Sequence, residues 1–436
     1  MTATPARAAA LRVLRGVRRG GLADRALGQA MASLEPRDRA WLQELVYGTL
    51  RLRGRLDHIL AEHVRRPLED LEPDVLDILR LGAYQLLEMG SVPPYAAVSQ
   101  SVELAKEVGR GPARLVNAVL MGLSRRREPV AYPPLETDPA GHLAAWGSHP
   151  RWLVERWIER FGVEATRSLL EWNNDRPEIF LRLVGWDAAD AVAALASADV
   201  EATPGPADTV RLGAGSDVAG ALAVVPAVVQ DPGAARVAAF AASVARGFVV
   251  DLCAAPGGKA LALAQAPAVR YLLAADRSER RLRRAWDNAE RISRQLGRPL
   301  SLGLAVADVR DATVADVDLA LLDVPCTGTG TFRRHPDARW RVGPEDLAAL
   351  VALQRDMLDA AAEVVRPGGV LVYATCSLEP EENDEQVDAF LARNPAFEPA
   401  PGCVDGDGMN ETDRLVVLPQ RDATDGAFAA CMRRVH

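Results

Sequence analysis

Apolar positions recur at three- and four-residue spacing through roughly the first 128 residues. The pattern predicts helices over residues 9–17, 39–50, 56–64, 75–87, 98–108 and 111–123. Turn signals separate them: Gly20-Gly21, Arg66-Pro67, Glu72-Pro73, Pro93-Pro94 and the stretch 109–112. With no strand-like alternation, this is an all-helical domain, followed by a proline-rich boundary at residues 128–134. Residues 149 to about 233 are mixed, with helices expected at 152–161, 164–172 and 188–196 and a strand at 179–184. Short strands follow around a Gly/Pro-rich segment, which reads as a small α+β module. From about residue 232, short apolar runs alternate with helical patterns. Strands are expected at 248–252, 270–275, 301–306, 318–322 and 369–375, and helices notably at 260–266, 280–296 and 344–365. Such alternation implies a doubly wound parallel sheet. The fold class is therefore multidomain, α and α/β, with expected divisions at residues 1–135, 145–235 and 236–436.

The first strand of that sheet ends in Asp251 and runs into the small-residue turn Cys253, Ala254, Ala255, Pro256, Gly257, Gly258, Lys259. A strand, a tight loop and a helix place this turn at the carboxyl edge of the sheet, where ligands bind. A phosphate-cradling loop would need Gly at 253 and Ser or Thr at 260, where this chain has Cys253 and Ala260. Gly-x-Gly-x-x-Gly is absent as well. The nucleotide-type ligand that remains is an adenosyl group without a phosphate chain, such as S-adenosylmethionine, although the loop alone also fits an ordinary strand-to-helix turn. Two acids, Asp276 and Asp323, close later strands, and Asp308 lies two residues past another. Asp276 follows Asp251 at the interval where an acid binds ribose hydroxyls in nucleotide-binding sheets.

Composition narrows the picture. The 436 residues are 49% hydrophobic and 25% charged, enough for a sizeable core. The most apolar of the longer uncharged stretches, residues 218–230, is too short to span a bilayer and contains Pro226. The Ala/Arg-rich start raises a transit peptide, but Leu11, Leu14 and Val17 recur at helical spacing, which favours a first domain helix. Net charge is −8, against a generic nucleic-acid coat. Residues 1–130 nevertheless carry 20 Lys+Arg against 15 Asp+Glu, a surplus of five, leaving −13 for the remainder. The clusters Arg12/Arg15/Arg18/Arg19, Arg51/Arg53/Arg55 and Arg125/Arg126/Arg127 read either as solvated helix faces or as a surface for an RNA backbone. Of 51 basic residues only Lys106 and Lys259 are lysines. A compact ammonium in the turn suggests a specific contact. The five cysteines form no Cys-x-x-Cys pair, so neither a metal site nor a disulfide framework is expected, and reduced thiols in a cytoplasm are.

Cys326 follows Asp323-Val324-Pro325 after the fourth strand, and Cys376 ends the fifth. Parallel strands bring both thiols to the edge that holds the glycine turn. A thiolate beside a methyl donor suits methylation at a pyrimidine carbon. C5 of cytosine is a poor nucleophile, but addition of a thiolate to C6, with an acid supporting N3, makes C5 enamine-like. Loss of the C5 proton then allows the thiolate to leave.

Residues 251–259, residues 323–330 with Phe332, Arg333, Arg334, His335, Pro336 and Asp337, and Tyr373-Ala374-Thr375-Cys376-Ser377 with Glu381, Glu382 and Asn383 together resemble the Sun family of RNA cytosine-C5 methyltransferases. Within it they resemble the RsmB type that acts on small-subunit ribosomal RNA. The likeness extends to the middle module, including Gln230-Asp231-Pro232, and to residues 425–428, and the first domain is similar to a NusB-like domain. The resemblance implies a Rossmann-like class I methyltransferase domain, with Cys376 as nucleophile, Cys326 assisting release and Asp323 at the base. It also implies a cofactor, S-adenosylmethionine, held by the turn 253–259 with Lys259, by Asp276, Arg281 and Asp308, and at Asp323. The implied partner is small-subunit ribosomal RNA, with neither DNA nor membrane, and the protein is expected to be a monomer in the cytoplasm. Methylation of another RNA such as tRNA, and an RNA-binding assembly or antitermination role, are the alternatives. Ala260 stands where relatives often have Thr or Ser, and the segment 180–184 lacks a usual Asn, which leaves an RNA contact there open.

Overall fold

The computed structural model describes residues 3–126, 128–311, 314–400, 403–404 and 411–436. It divides into two compact units, residues 1–176 with 332–341, and residues 177–331 with 342–436. No helix among the described residues is long and apolar enough to cross a membrane.

The first unit is helical. Each of the six helices expected in its first 128 residues is present, four of them opening on proline: Pro5–Arg18, Pro36–Arg51, Pro73–Leu87 and Pro94–Val108. Proline suits that position because the first-turn N–H has no intrahelical acceptor. Helices Ala23–Met31 and Pro139–Gly147 add to the expected set. The stripe Ala6, Ala9, Ala10, Val13 and Leu14 enters a core shared with Leu42, Leu45, Ile78 and Leu120. The arginine clusters are partly internal and not free faces: Arg18 pairs with Asp74 and Asp77, and Arg51 is buried. Arg127 lies outside the described residues.

The segment 332–341 is locked into this unit by Arg339, which is fully buried. Its Nη1 donates to Arg51 O, Ser148 O and Asn174 Oδ1 at 3.2, 3.2 and 2.9 Å. Its Nη2 donates to Asn173 O at 2.9 Å and Phe332 O at 3.2 Å. One planar cation thus satisfies acceptors from four segments.

The second unit carries two main sheets. Strands β1 (Phe180–Leu183), β2 (Ala202–Gly205), β3 (Thr209–Leu212) and β4 (Ala227–Val229) form an antiparallel sheet ordered β2-β3-β1-β4. The larger sheet begins with β5 (Gly247–Asp251), β6 (Val269–Asp276), β7 (Leu302–Val306), β8 (Val317–Asp323) and β9 (Val365–Thr375), which are the five expected strands. Five strands follow that the sequence pattern does not predict: β10 (Phe397–Pro399), β11 (Cys403–Val404), β12 (Glu411–Thr412), β13 (Arg414–Val417) and β14 (Ala427–Arg434). The order is β10-β14-β9-β8-β5-β6-β7, with β13 against β14. Strands β5 to β9 pair in parallel, and β14 pairs antiparallel to β9. The chain winds outward from β5 through β6 to β7, then returns to the other side of β5 as β8. That reversal opens a crevice at the carboxyl ends of β5 and β8.

The expectation of reduced thiols throughout is corrected for one pair. Cys403 and Cys431 are disulfide-bonded, with Cα atoms 6.8 Å apart. Spacing along the chain could not reveal it, because the 28-residue separation is closed by sheet pairing: Ala400 N donates to Cys431 O at 3.0 Å, laying this segment beside β14. Cys253, Cys326 and Cys376 are free.

Arg339→Met removes a buried fork donor and leaves carbonyls without partners. It is expected to destabilise the protein by about 3 kcal/mol or more, read as a lowered melting temperature. Arg339→Lys, whose ammonium reaches fewer acceptors, should recover little of the loss.

Candidate active site

The turn after β5 is pinned from both sides, as Leu252 N donates to Leu321 O and Ala254 N to Ala275 O, each at 2.9 Å. Gly257 has φ +105°, and a Cβ there would lie 2.6 Å from that of Ala285. Only glycine fits both the conformation and the close approach. From beneath, the buried Arg182 donates to Gly258 O at 2.8 Å and to Gln230 Oε1 at 2.5 Å. The segment 180–184 therefore braces the turn through Arg182.

The helix Gly258–Leu263 then sends Lys259 across to Asp323 at the end of β8, with Nζ and Oδ2 2.6 Å apart. Burial works against the ammonium, but the Asp323 charge and hydrogen bond outweigh it and hold the Lys259 pKa above its ordinary value. Asp251, fully buried at the end of β5, has its carboxyl pushed up to about 7 by burial and by the Asp323 charge, and its Oδ2 has no hydrogen-bond partner.

The predicted acids sit at the same edge. Asp276 accepts from Ala255 N at 3.1 Å and Ser278 N at 2.8 Å, and Arg281 donates to Ala255 O at 2.5 Å. Asp308 accepts both Nε and Nη2 of Arg310, at 2.9 and 2.8 Å, which holds its carboxyl down at about 2.

The loops after β8 and β9 bring Cys326 and Cys376 to an Sγ–Sγ distance of 3.3 Å. A buried polar network holds them. Glu382 accepts from Thr327 N at 2.9 Å, Thr327 Oγ1 at 2.5 Å and Gln354 Nε2 at 2.8 Å, and Gln354 also donates to Pro325 O. Asn383 accepts from Thr375 Oγ1 at 2.5 Å and donates to Ser377 O at 2.9 Å. The network tunes both the spacing of the thiols and their protonation. The hydrogen bond from Cys326 lowers the Cys376 pKa, and the Lys259 charge adds to that effect. The same hydrogen bond, with burial, raises Cys326 well above the ordinary thiol value. Of the two thiols, Cys376 is the one that ionises more readily.

A cavity of about 260 Å³ gathers most of these groups. Cys253, Ala255, Asp276, Arg281 and Asp308 line it, as do Lys259, Asp323, Cys326 and Cys376. A second cavity of about 430 Å³ shares Cys253, Ala255, Lys259 and Asp323 and is bordered also by Ala254, Pro256, Gly258 and Asp251. Of the turn residues expected at the cofactor, Ala254, Pro256 and Gly258 face only this second space, and Gly257 faces neither. Burial and nearby acids raise the Cys253 thiol far above its ordinary value, which makes it a packing residue. Sequence reasoning missed Gln354, whose position in a long helix carries no sign of its bond to Glu382.

The winding reversal at β5, the antiparallel β14 beside β9 and the acids after β6 and β7 define a class I methyltransferase fold. The model of the 16S rRNA methyltransferase RsmB/F family matches residues 240–433, that of the NusB family residues 4–125, and that of the RsmF/B-like ferredoxin-like domain residues 149–219. Ribosomal RNA small subunit methyltransferase B of Vibrio vulnificus is 33% identical over 439 residues, covering 98% of each chain. Its namesake from Salmonella typhi is 34% identical over 424 residues, covering 92% of this chain and 94% of that one. The chain belongs to the RsmB/F methyltransferase family. Among solved structures, PH0851 shares the fold over the full length of both chains, with a TM-score of 0.76 and 23% identity. NSun6 from Pyrococcus horikoshii with SFG matches 66% of this chain and 98% of its own, with a TM-score of 0.53 and 18% identity.

Across a rising pH series iodoacetamide is expected to modify Cys376, the thiol whose pKa is lowered, before Cys326, whose pKa is raised, as mapped by peptide mass spectrometry. Lys259→Met should move the onset of Cys376 labelling to higher pH. Labelling of Cys326 first would contradict the assigned polarity.

Proposed function

We propose that this protein transfers a methyl group from S-adenosylmethionine to C5 of a cytosine in small-subunit ribosomal RNA through a covalent bond between Cys376 and C6. The observation that carries the reading is one cavity in which a thiol pair 3.3 Å apart lies with the Lys259–Asp323 ion pair. That cavity fits the cofactor by its donor set. Carboxylates surround it, and the turn offers an adenosyl group close backbone approach without the Gly and Ser/Thr positions that a phosphate chain requires. Asp276 is assigned to the ribose hydroxyls, Asp308 to the adenine, Arg281 and the turn 253–259 to the amino-acid end, and Asp323 borders both cofactor and base. The cofactor supplies an electrophilic methyl group.

The chain's own residues prepare the cytosine. The target base must leave its stack for C6 to be reached. The Cys376 thiolate adds to C6 while N3 takes a proton from water, and the Asp323 carboxylate, charged against Lys259, holds the resulting N3–H, so that the C5=C6 electrons become available at C5. After methylation the C5 proton is lost and the Cys376–C6 bond breaks, re-forming the double bond and returning the thiolate. Cys326, in contact with that sulfur, assists this release. We assign residues 1–135 as a NusB-like RNA-binding domain, 145–235 as the small module and 236–436 as the catalytic domain. The protein acts on RNA and not DNA, as a monomer in the cytoplasm.

With unmodified small-subunit rRNA as substrate, Cys376→Ala is expected to abolish transfer. Cys326→Ala should accumulate a covalent protein–RNA species visible on a denaturing gel. Lys259→Met should lower kcat by about 100-fold, the size of one positioned charge in acid–base chemistry. An adduct accumulating in Cys376→Ala, or forming with tRNA alone, would overturn the reading.

A further inference from the structure

The helix Glu279–Leu296, which follows β6, carries one stripe of basic and amide side chains. Positions 281, 284, 288, 291 and 295 share one stripe at alternating three- and four-residue spacing, and Arg277, just before the helix, continues it. The stripe reads Arg277, Arg281, Arg284, Asn288, Arg291, Gln295, with no acid on it, in a part of the chain that is otherwise strongly acidic. The acids of this helix, Glu279, Asp287 and Glu290, lie off the stripe.

Both ends of the stripe are in use. Arg277 and Arg281 line the cavity assigned to the cofactor. Arg291 donates to Leu222 O at 3.0 Å and Ala227 O at 2.6 Å, and Gln295 donates to Leu222 O at 2.9 Å, so this end holds the small module. Asn288, in the middle, borders the second cavity, which Asp251 also lines. Between Arg281 at the first cavity and Asn288 at the second, the stripe carries Arg284, exposed and without a hydrogen-bond or ion-pair partner among the described residues. Arg280, one turn before it, is likewise exposed and without a partner. A guanidinium with no ion-pair partner among the described residues, on the helix between residues that line two cavities sharing Lys259 and Asp323, is placed to take an anion from outside the chain.

We infer that Arg284, supported by Arg280, binds an RNA phosphate next to the target cytosine, so that the strand runs along this stripe and the adjoining nucleotide lies at the second cavity. The inference rests on the RNA methyltransferase reading and adds a positioning residue and a strand path to it. A single-stranded segment held by one such contact should bind with a salt dependence that records it.

The test uses the full-length protein and unmodified small-subunit rRNA transcript, with initial rates across a KCl series. Arg284→Gln is expected to raise KM for RNA about tenfold, with kcat within about twofold and cofactor affinity by calorimetry unchanged. The slope of log(kcat/KM) against log[KCl] should become shallower by about 0.7, the value of one single-strand phosphate contact. Arg284→Lys should restore the slope. Arg283→Gln, which removes the same charge from the same helix off the stripe, should change neither KM nor slope. Equal effects of Arg284→Gln and Arg283→Gln, or a loss of cofactor affinity in Arg284→Gln, would overturn the inference while the wild-type activity stands. Absence of wild-type methylation would remove the function reading and this inference with it.

Discussion

The ion pair between Lys259 and Asp323 is the contact on which the rest of the site depends. It ties the turn after β5 to the end of β8 across the winding reversal, so two loops that come from different strands share one charge. Both side chains are mostly shielded, at 18% and 29% exposure, and removing either would leave a charge with reduced access to water. The same ammonium helps to hold Cys376 below its usual thiol pKa, and the same carboxylate helps to raise Asp251. The turn after β5, the acid at the end of β8 and the Cys376 thiol are electrically one unit. An arginine would not replace this lysine, because a planar fork cannot fill the role of a compact point charge.

The thiol pair shows how packing decides polarity between two chemically equal groups. Cys326 and Cys376 sit on equivalent loops of neighbouring strands and touch each other. What differs is their surroundings. Glu382 disfavours the charged form of both thiols, and the Lys259 ammonium offsets this at Cys376. A protein that needs one attacking sulfur and one that assists departure can obtain both from this asymmetry.

Much of this was legible in the chain because the parallel core is written in local patterns. The apolar runs ending at Asp251, Asp276 and Asp323 mark strand ends at the ligand edge, and the failed phosphate motif at Cys253 and Ala260 already pointed to an adenosyl ligand. What was not legible depends on distant pairing. Strand β14, buried on both faces against β9 and β13, has no alternation to announce it, and the Cys403–Cys431 bond follows from its position. Arg339 reads as one more surface arginine until its carbonyl partners from separate helices are assembled. Arg182 has the same history: nothing in the segment 180–184 announces that it is buried and braces Gly258.

The central claim is that this charge-coupled edge methylates a cytosine of small-subunit ribosomal RNA. Bisulfite sequencing of total RNA from cells with the gene, without it, and without it but carrying the Cys376→Ala form tests that claim most directly. The account predicts one protected cytosine in small-subunit rRNA that becomes convertible on deletion and stays so with the Cys376→Ala form. An rRNA pattern unchanged by deletion, or protection restored by Cys376→Ala, would contradict it.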